Sequence, residues 1–560
     1  MSDKHVKRTR ALTREILVIA LFAFVFAFFI YQGIGYLQPQ KRAFLLSKVD
    51  SRSLRTKSVV LPRASILDRN GQPLAVSSET YTLGIDAKIY TNDFTNAYRL
   101  SSVTGLDPRT IISRVTSNPD SRYIRLSRRL TSAFADQVRS FKIPGVSLQS
   151  RFERFYPAAE TTAQLVGITD TSENGLSGME LAYDKQLASL PGKQRVLVDA
   201  SGKIIESLEQ IMPPQPGVPV VLSIDIRLQN IAFQLLQEHV DKVGAESGSI
   251  LMVDASNGEC LVVANYPANN PNYRRKFDPT FNRNRVFTDL FEPGSTIKPL
   301  SIAAALHHGK WHPNTPVPIG NGVLNVDGFN IRDLGRHGKI ISVQQVLVKS
   351  SNVGAAIMGL KTGANALIKT YIDYGFINTT GSNFPGEASG RLPLAGRISK
   401  SRNATMSYGY GFDLTLAELT RAYIALARDG QLLPLRLTLN PGAAKITSEQ
   451  IIDNQVAAQV REMMTGVTQD GGTAPNAAIP GHQVAGKTGT VHIVKDGRYS
   501  DDSYNALFIG MAPAAAVRLV VAVIVREPRG DNYYGSESAA PIFRELMSHS
   551  LRVLRITPEV

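Results

Sequence analysis

From Ile16 to Leu37 the chain reads ILVIALFAFVFAFFIYQGIGYL, an apolar run with no charged residue. A helix of that length crosses a bilayer. Lys4, Lys7, Arg8, Arg10 and Arg14 precede the run. The positive-inside rule therefore expects residues 1–15 to form a cytoplasmic tail, 16–37 a transmembrane helix, and everything beyond about residue 40 to lie outside the cytoplasm. A cleaved signal peptide would have a shorter apolar stretch ending in a small-x-small site. This run is long and leads into YLQPQ, so a retained anchor is expected.

The hydrophobic pattern then changes period. Residues 40–215 mix short strand-like runs, YTLGID near Tyr81 and RYIRLSRRL near Arg122, with helical stretches, and read as one unit. MPPQPGVP, from Met212 to Pro219, reads as a linker before a second unit at 220–555. That unit opens on VVLSIDIRLQNIAFQLLQEHV, a strand-like start passing into a helix with apolar residues at helical spacing. GSILMVDASNGECLVVANYP follows, two apolar runs around an Asn-Gly turn signal. NALFIGMAP and VRLVVAVIVREP form a second such pair, and APIFRELMSHSLRVL closes the chain as an amphipathic helix. Antiparallel strands with helices packed on the sheet predict the α+β class.

Composition narrows this little. With 43% hydrophobic and 19% charged residues, the 560-residue chain is globular and long enough for two to four domains. Its single cysteine, Cys260, excludes an intramolecular disulfide and reads as a small buried hydrophobe within CLVVANY. The nine histidines form no H-E-x-x-H pair, so no metal site and no cofactor is expected. The net charge of +15 comes with neither a basic-aromatic stripe nor a helix-turn-helix pattern. It fits a basic surface working near an anionic membrane or polymer, without nucleic acid as partner.

The candidate chemistry begins at EPGSTIKP, Glu292 to Pro299. If a helix starts at Ser295, Lys298 shares its face one turn on, and the amine can reach the hydroxyl. A serine needs such a base before it becomes a nucleophile. Two more motifs follow: KSSNVG, with Ser350, Ser351 and Asn352, and GKTGTVH, with Lys487, Thr488, Gly489 and Thr490 in a strand-like context. The order S-x-x-K, S-x-N, K-[ST]-G is shared with penicillin-binding proteins and serine β-lactamases. Lys298 acts as a base only when neutral, and burial with a second cation, for which Lys487 is the candidate, would lower its pKa. Ser350 is placed to relay a proton to the leaving amine, and Asn352 to hold the substrate's amide. Thr488 and Thr490 offer hydroxyls to a carboxylate. The Ser295 and Thr490 N–H groups offer an oxyanion hole.

The resemblance runs further. PRASILDRNGQPLA, from Pro62 to Ala75, resembles the opening of the non-catalytic domain of class B penicillin-binding proteins, with Ala64 where that family usually has glycine. RFERFYPAAETTAQLVGITD and GLSGMEL, with Glu180, resemble that domain's later motifs. LFEPGSTIKP, SYGYGFDLT and YYGSESAAPIF resemble the cell-division transpeptidase of Gram-negative bacteria, the FtsI type. The resemblance implies a dimerisation-type pedestal at 40–215 and a penicillin-binding transpeptidase domain at 220–555. It implies a serine acyl-enzyme formed on the D-Ala-D-Ala end of a stem peptide, captured by an amine acceptor, and acylation by β-lactams. It also implies aromatic residues around the cleft, where Tyr410, Tyr533 and Tyr534 would fall, and a polytopic glycosyltransferase partner of the FtsW type with other division proteins. An inner-membrane, single-pass protein with a periplasmic catalytic domain follows. The alternatives are an elongation-type class B enzyme and a β-lactamase or penicillin-sensing domain. No E-x-x-L-N pattern is present to supply a β-lactamase's deacylating glutamate.

Overall fold

A computed structural model describes residues 13–32, 54–198, 204–273, 278–309, 311–394, 398–439, 447–495, 497–530 and 533–559, without the side chains of 128 and 501. Helix α1, Thr13–Gln32, is the one helix among the described residues long and apolar enough to cross a membrane. Residues 33–37 of the expected span lie outside the described residues.

Two units emerge from packing: 1–61 with 189–216, and 62–188 with 217–560. The first holds an antiparallel three-stranded sheet in which Gly192–Val198 lies between Leu54–Val59 and Ile204–Met212.

In the second unit, Pro73–Ile85 pairs antiparallel with Ile124–Leu130 and Val146–Phe155. Leu83, Ile85, Leu100 and Ile111 form a local core there. Several ties bind this region to the residues after the linker. Ile66–Leu67 pairs parallel with Val220–Val221. Asp68, in the DRNG turn, accepts the Ile226 N–H at 3.1 Å. Ala64 is absent from the residues of positive φ, so its backbone does not demand the glycine usual there. Buried Glu180 accepts from Arg63 Nε at 2.8 Å and from Arg154 Nε at 2.7 Å.

The catalytic sheet follows the sequence pattern closely. Helix α2, Ile226–Lys242, is capped by Asp225. Strands β1, Ser247–Asp254, and β2, Glu259–Tyr266, form the expected hairpin, with Gly258 at φ 76° in its turn. After a helical region containing α3 (Lys298–His307), α4 (Asn352–Thr362) and α5 (Leu416–Ala427), the sheet is completed by β3, Ala485–Lys495, β4, Arg498–Ala512, and β5, Leu519–Arg526. The order is β2-β1-β5-β4-β3, all antiparallel. Residues of β1 and β5 are buried on both faces. Leu251, Val253, Ala522 and Ile524 join the core containing α3 to α5, whereas Ile250, Met252, Val521 and Val523 join the core of α2 and the last helix, α6 (Ala540–Val553). Alternate side chains on a strand point to opposite faces, so strands clad on both faces are apolar throughout. Cys260 is buried in the core containing α3 to α5, and burial pushes its thiol up.

Candidate active site

The residues Gly294–Ile297 form one turn of 3₁₀ helix, and α3 begins at Lys298 with Pro299 in its first turn. The sequence expects a helix beginning at Ser295. The 3₁₀ turn instead puts three residues in a full rotation, so positions 295 and 298 eclipse each other. Two glycines permit this geometry. Gly294 has φ 51°, and a Cβ there would lie 2.4 Å from Val491 Cγ2. Gly409 has φ 93°, and its Cβ would meet Gly294 O at 2.1 Å. The SYGYGF loop thus backs directly onto the nucleophile turn, with Gly294 N–H donating to Gly409 O at 3.0 Å. From α5, Tyr423 donates its buried hydroxyl to Thr296 O at 2.6 Å.

Ser350 joins the helix Val343–Val348 to α4 at φ 57°, a left-handed conformation uncommon outside glycine. Ser351 caps α4, accepting the Gly354 N–H at 2.8 Å and donating to Asp333 Oδ2 at 2.7 Å. Asp333 Oδ1 accepts the Val353 N–H at 2.9 Å. This pinned helix start aims Ser350 and Asn352 at Lys298. Lys298 Nζ lies 2.6 Å from Ser350 O, 2.8 Å from Asn352 Oδ1 and 3.2 Å from Ser350 Oγ. No hydrogen bond joins it to Ser295 Oγ among the described residues. Serine–base bonds are often long before substrate arrives.

Lys487 lies on β3, the edge strand, and is fully buried. Its Nζ donates to Ser350 Oγ at 2.9 Å and to Thr488 O at 3.0 Å. Ser350 Oγ therefore sits between two lysine amines. Burial first, and the nearby Lys487 second, push the Lys298 amine well below its ordinary value, with Asp333 pulling the other way. Burial brings Lys487 down to about 7. A neutral Lys298 keeps two N–H donors. Ser350 O and Asn352 Oδ1 can only accept, so they take both, and the lone pair is left for a hydroxyl proton.

These elements floor a cleft of about 460 Å³. Ser295, Ser350, Asn352, Thr488 and Thr490 line it, while Lys298 and Lys487 lie beneath. Gly489 is buried against the nucleophile turn, where a Cβ would meet Thr296 Cγ2 at 2.9 Å. Tyr410, Tyr533 and Tyr534 also line the cleft. Tyr504, Tyr533 and Tyr534 stack in series, with ring centroids 4.6 and 4.4 Å apart. Tyr410 packs edge-on against Tyr499 at 5.7 Å. Every sequence-derived candidate is thus gathered around one cleft. Asp333 and Tyr423 escaped sequence reasoning because no local pattern marks them. Gly409 lies within SYGYGF, where the glycine spacing was a usable signal.

Comparison with known proteins agrees with this geometry. A model of the penicillin-binding protein transpeptidase domain matches residues 248–548, and one of the penicillin-binding protein dimerisation domain matches 58–222. The chain is 37% identical to the probable peptidoglycan D,D-transpeptidase PbpC of Pseudomonas aeruginosa, over 98% of this chain and 96% of that one. It is 35% identical to the peptidoglycan D,D-transpeptidase FtsI of Escherichia coli, over 95% and 90%. The transpeptidase domain of Burkholderia pseudomallei penicillin-binding protein 3 superposes with a TM-score of 0.56 at 36% identity, covering 60% of this chain and 98% of that domain. With S-x-x-K, S-x-N and K-T-G converging on one cleft and a family match spanning more than half its length, the chain belongs to the penicillin-binding protein transpeptidases.

Proposed function

We propose that this chain is a serine-type peptidoglycan D,D-transpeptidase that cross-links stem peptides. One observation carries the reading: a hydroxyl, Ser350 Oγ, held between two buried amines at the foot of a cleft that Ser295 lines. Lys298, neutral, takes the Ser295 proton as the hydroxyl attacks the carbonyl of a terminal D-Ala-D-Ala bond. The Ser295 and Thr490 N–H groups stabilise the oxyanion. Protonated Lys298 passes a proton through Ser350 to the departing D-alanine amine, and Lys487 keeps the Ser350 hydroxyl oriented. Asn352 holds the substrate amide, and Thr488 and Thr490 take the donor's carboxylate. Gly489 lets β3 approach the nucleophile turn. Tyr410, Tyr533 and Tyr534 wall the donor site. An amine from a neighbouring stem then attacks the acyl-enzyme and restores Ser295. β-Lactams enter by the same acylation and stay bound. The detergent-solubilised protein should form a penicilloyl adduct that persists for many minutes in intact-mass spectra, whereas turnover within seconds would point to a β-lactamase.

The two lysines give this scheme a pH signature. Acylation needs neutral Lys298, so its rate should rise with pH through that group's apparent pKa. Removing the Lys487 charge in Lys487→Met takes away a cation that lowers the Lys298 pKa, so the acid limb of the residual rate should move to higher pH. An unmoved limb would remove Lys487 from that role. In the folded protein both amines hold their protons less tightly than in the unfolded chain. The unfolded state therefore binds more protons between about pH 7 and 10, and these two groups make stability rise with pH across that window.

The FtsI-type relatives and the apolar helix support a single-pass inner-membrane enzyme with residues 1–15 cytoplasmic, a pedestal at 40–215 and a periplasmic transpeptidase domain at 220–555. We assign it to the division septum, beside a polytopic glycosyltransferase of the FtsW type. Depletion should then yield filaments rather than rounded cells, and a reporter fused after Val560 should be active only outside the cytoplasm.

A further inference from the structure

A chain of buried polar groups crosses one end of the catalytic sheet, outside the cleft that holds Ser295. Ser249 on β1 donates to Asn265 Oδ1 on β2 at 2.9 Å, and Asn265 Nδ2 donates to Asn284 Oδ1 at 2.9 Å. At the end of β5, Arg526 Nη1 donates to Ser249 Oγ at 3.2 Å. Arg283 and Arg285 flank Asn284, so with Arg526 three guanidinium groups gather here. Their charges are not balanced. The Asp289 carboxylate is engaged by Arg283, at 2.9 Å from Nε and 3.1 Å from Nη2, and reaches Arg526 Nη2 only at 4.0 Å. Glu246 acts on both Arg526 and Arg285, but from the exposed surface, so two carboxylates face three guanidinium groups.

Three buried N–H donors, Arg285 Nη1, Arg526 Nη2 and Asn284 Nδ2, have no acceptor among the described residues. Arg285 as a residue is only 7% exposed. Burial brings Arg526 down to about 10, so it remains a cation at neutral pH. A buried cation short of counter-charge is costly, and arginine does not escape by losing its proton. Water would fill the donors without supplying the missing charge. The Arg283 side chain, at the edge of the cluster, is 59% exposed.

We propose that Arg285, Arg526 and Asn284 form a binding site for a small inorganic anion of chloride size. The site would do more than neutralise charge. The turn Arg285–Thr288 packs on β1 and β2 and runs directly into Phe291, which pairs with Leu414 just ahead of the nucleophile turn. The bound anion would therefore brace the root of the segment that carries Ser295.

Chloride itself is the probe. Chloride-35 NMR on the detergent-solubilised full chain should show excess line broadening that saturates with chloride and is competed by bromide. Arg526→Met should lose that broadening while still labelling with fluorescent penicillin, which reports its fold. If Arg526→Met fails to label, Arg285→Met is read in its place. Broadening that is equal in the wild type and the labelling-competent variant would overturn the site, because it would come from surface charge. No saturable broadening in the wild type would also overturn it, leaving a cluster filled by water alone.

Discussion

Replacing Ser295 with alanine should abolish labelling by fluorescent penicillin and lower D-alanine release from a stem-peptide donor by roughly 10⁴–10⁶-fold, the scale of losing a covalent nucleophile. The loss should come without unfolding. Ser295 is half-buried at the cleft floor and makes no side-chain hydrogen bond among the described residues, so the substitution should change stability by less than about 0.5 kcal/mol. The turn around it is held by groups the variant keeps: Gly294 against Gly409, Thr296 under Tyr423, and the Lys298 N–H on Ser295 O. Equal labelling of both proteins would move the nucleophile elsewhere. A folded, unlabelled variant separates chemistry from architecture, because Lys298, Ser350 and Lys487 keep their mutual bonds.

Glu180→Ala should be the most destabilising single change outside the cleft. The Glu180 carboxylate is completely buried and holds Arg63 and Arg154, which are 5% and 6% exposed. Arg63 also donates to Glu180 O at 2.9 Å and to Asp184 Oδ1 at 2.7 Å. Removing the carboxylate strands the buried Arg154 guanidinium and leaves Arg63 with Asp184 as its one carboxylate partner, which costs about 3–5 kcal/mol, whereas replacing a whole buried ionic cluster with apolar groups of similar volume is far closer to neutral. Denaturant unfolding should show that drop for Glu180→Ala and recover most of it in the triple variant Arg63→Met, Glu180→Leu, Arg154→Met. None of the three lines the cleft, so penicillin labelling at low temperature should survive. A stable Glu180→Ala protein would show that the ion pairs contribute little and that apolar packing alone holds this region.

The Glu180 case marks one boundary of what sequence can say. GLSGMEL stood out as a resemblance, yet nothing in it said that Glu180 would meet Arg63, 117 residues earlier, and Arg154. The linear reading also placed a break at the Pro/Gly stretch, whereas packing groups 62–188 with 217–560. The Arg69–Glu259 ion pair and the short parallel pairing of Ile66–Leu67 with Val220–Val221 cross that stretch, and local composition carries no trace of them.

By itself the sequence determined whatever depends on local period and residue type. The uncharged run before residue 40, the apolar strands GSILMVD and LVVAVIVR, the Asn-Gly turn and the three short motifs were all legible, because hydrophobic burial and turn chemistry act over a few residues. Tertiary structure alone decided the electrostatics of the site. Sequence spacing predicts that Ser295 and Lys298 share a face, but only packing turns that segment into a 3₁₀ turn backed by Gly409. Only packing removes Lys298 and Lys487 from water and places both on Ser350 Oγ. An amine's basicity depends on the water and charge around it, and for Lys298 the charges come from Asp333 and Lys487, far from it in the chain.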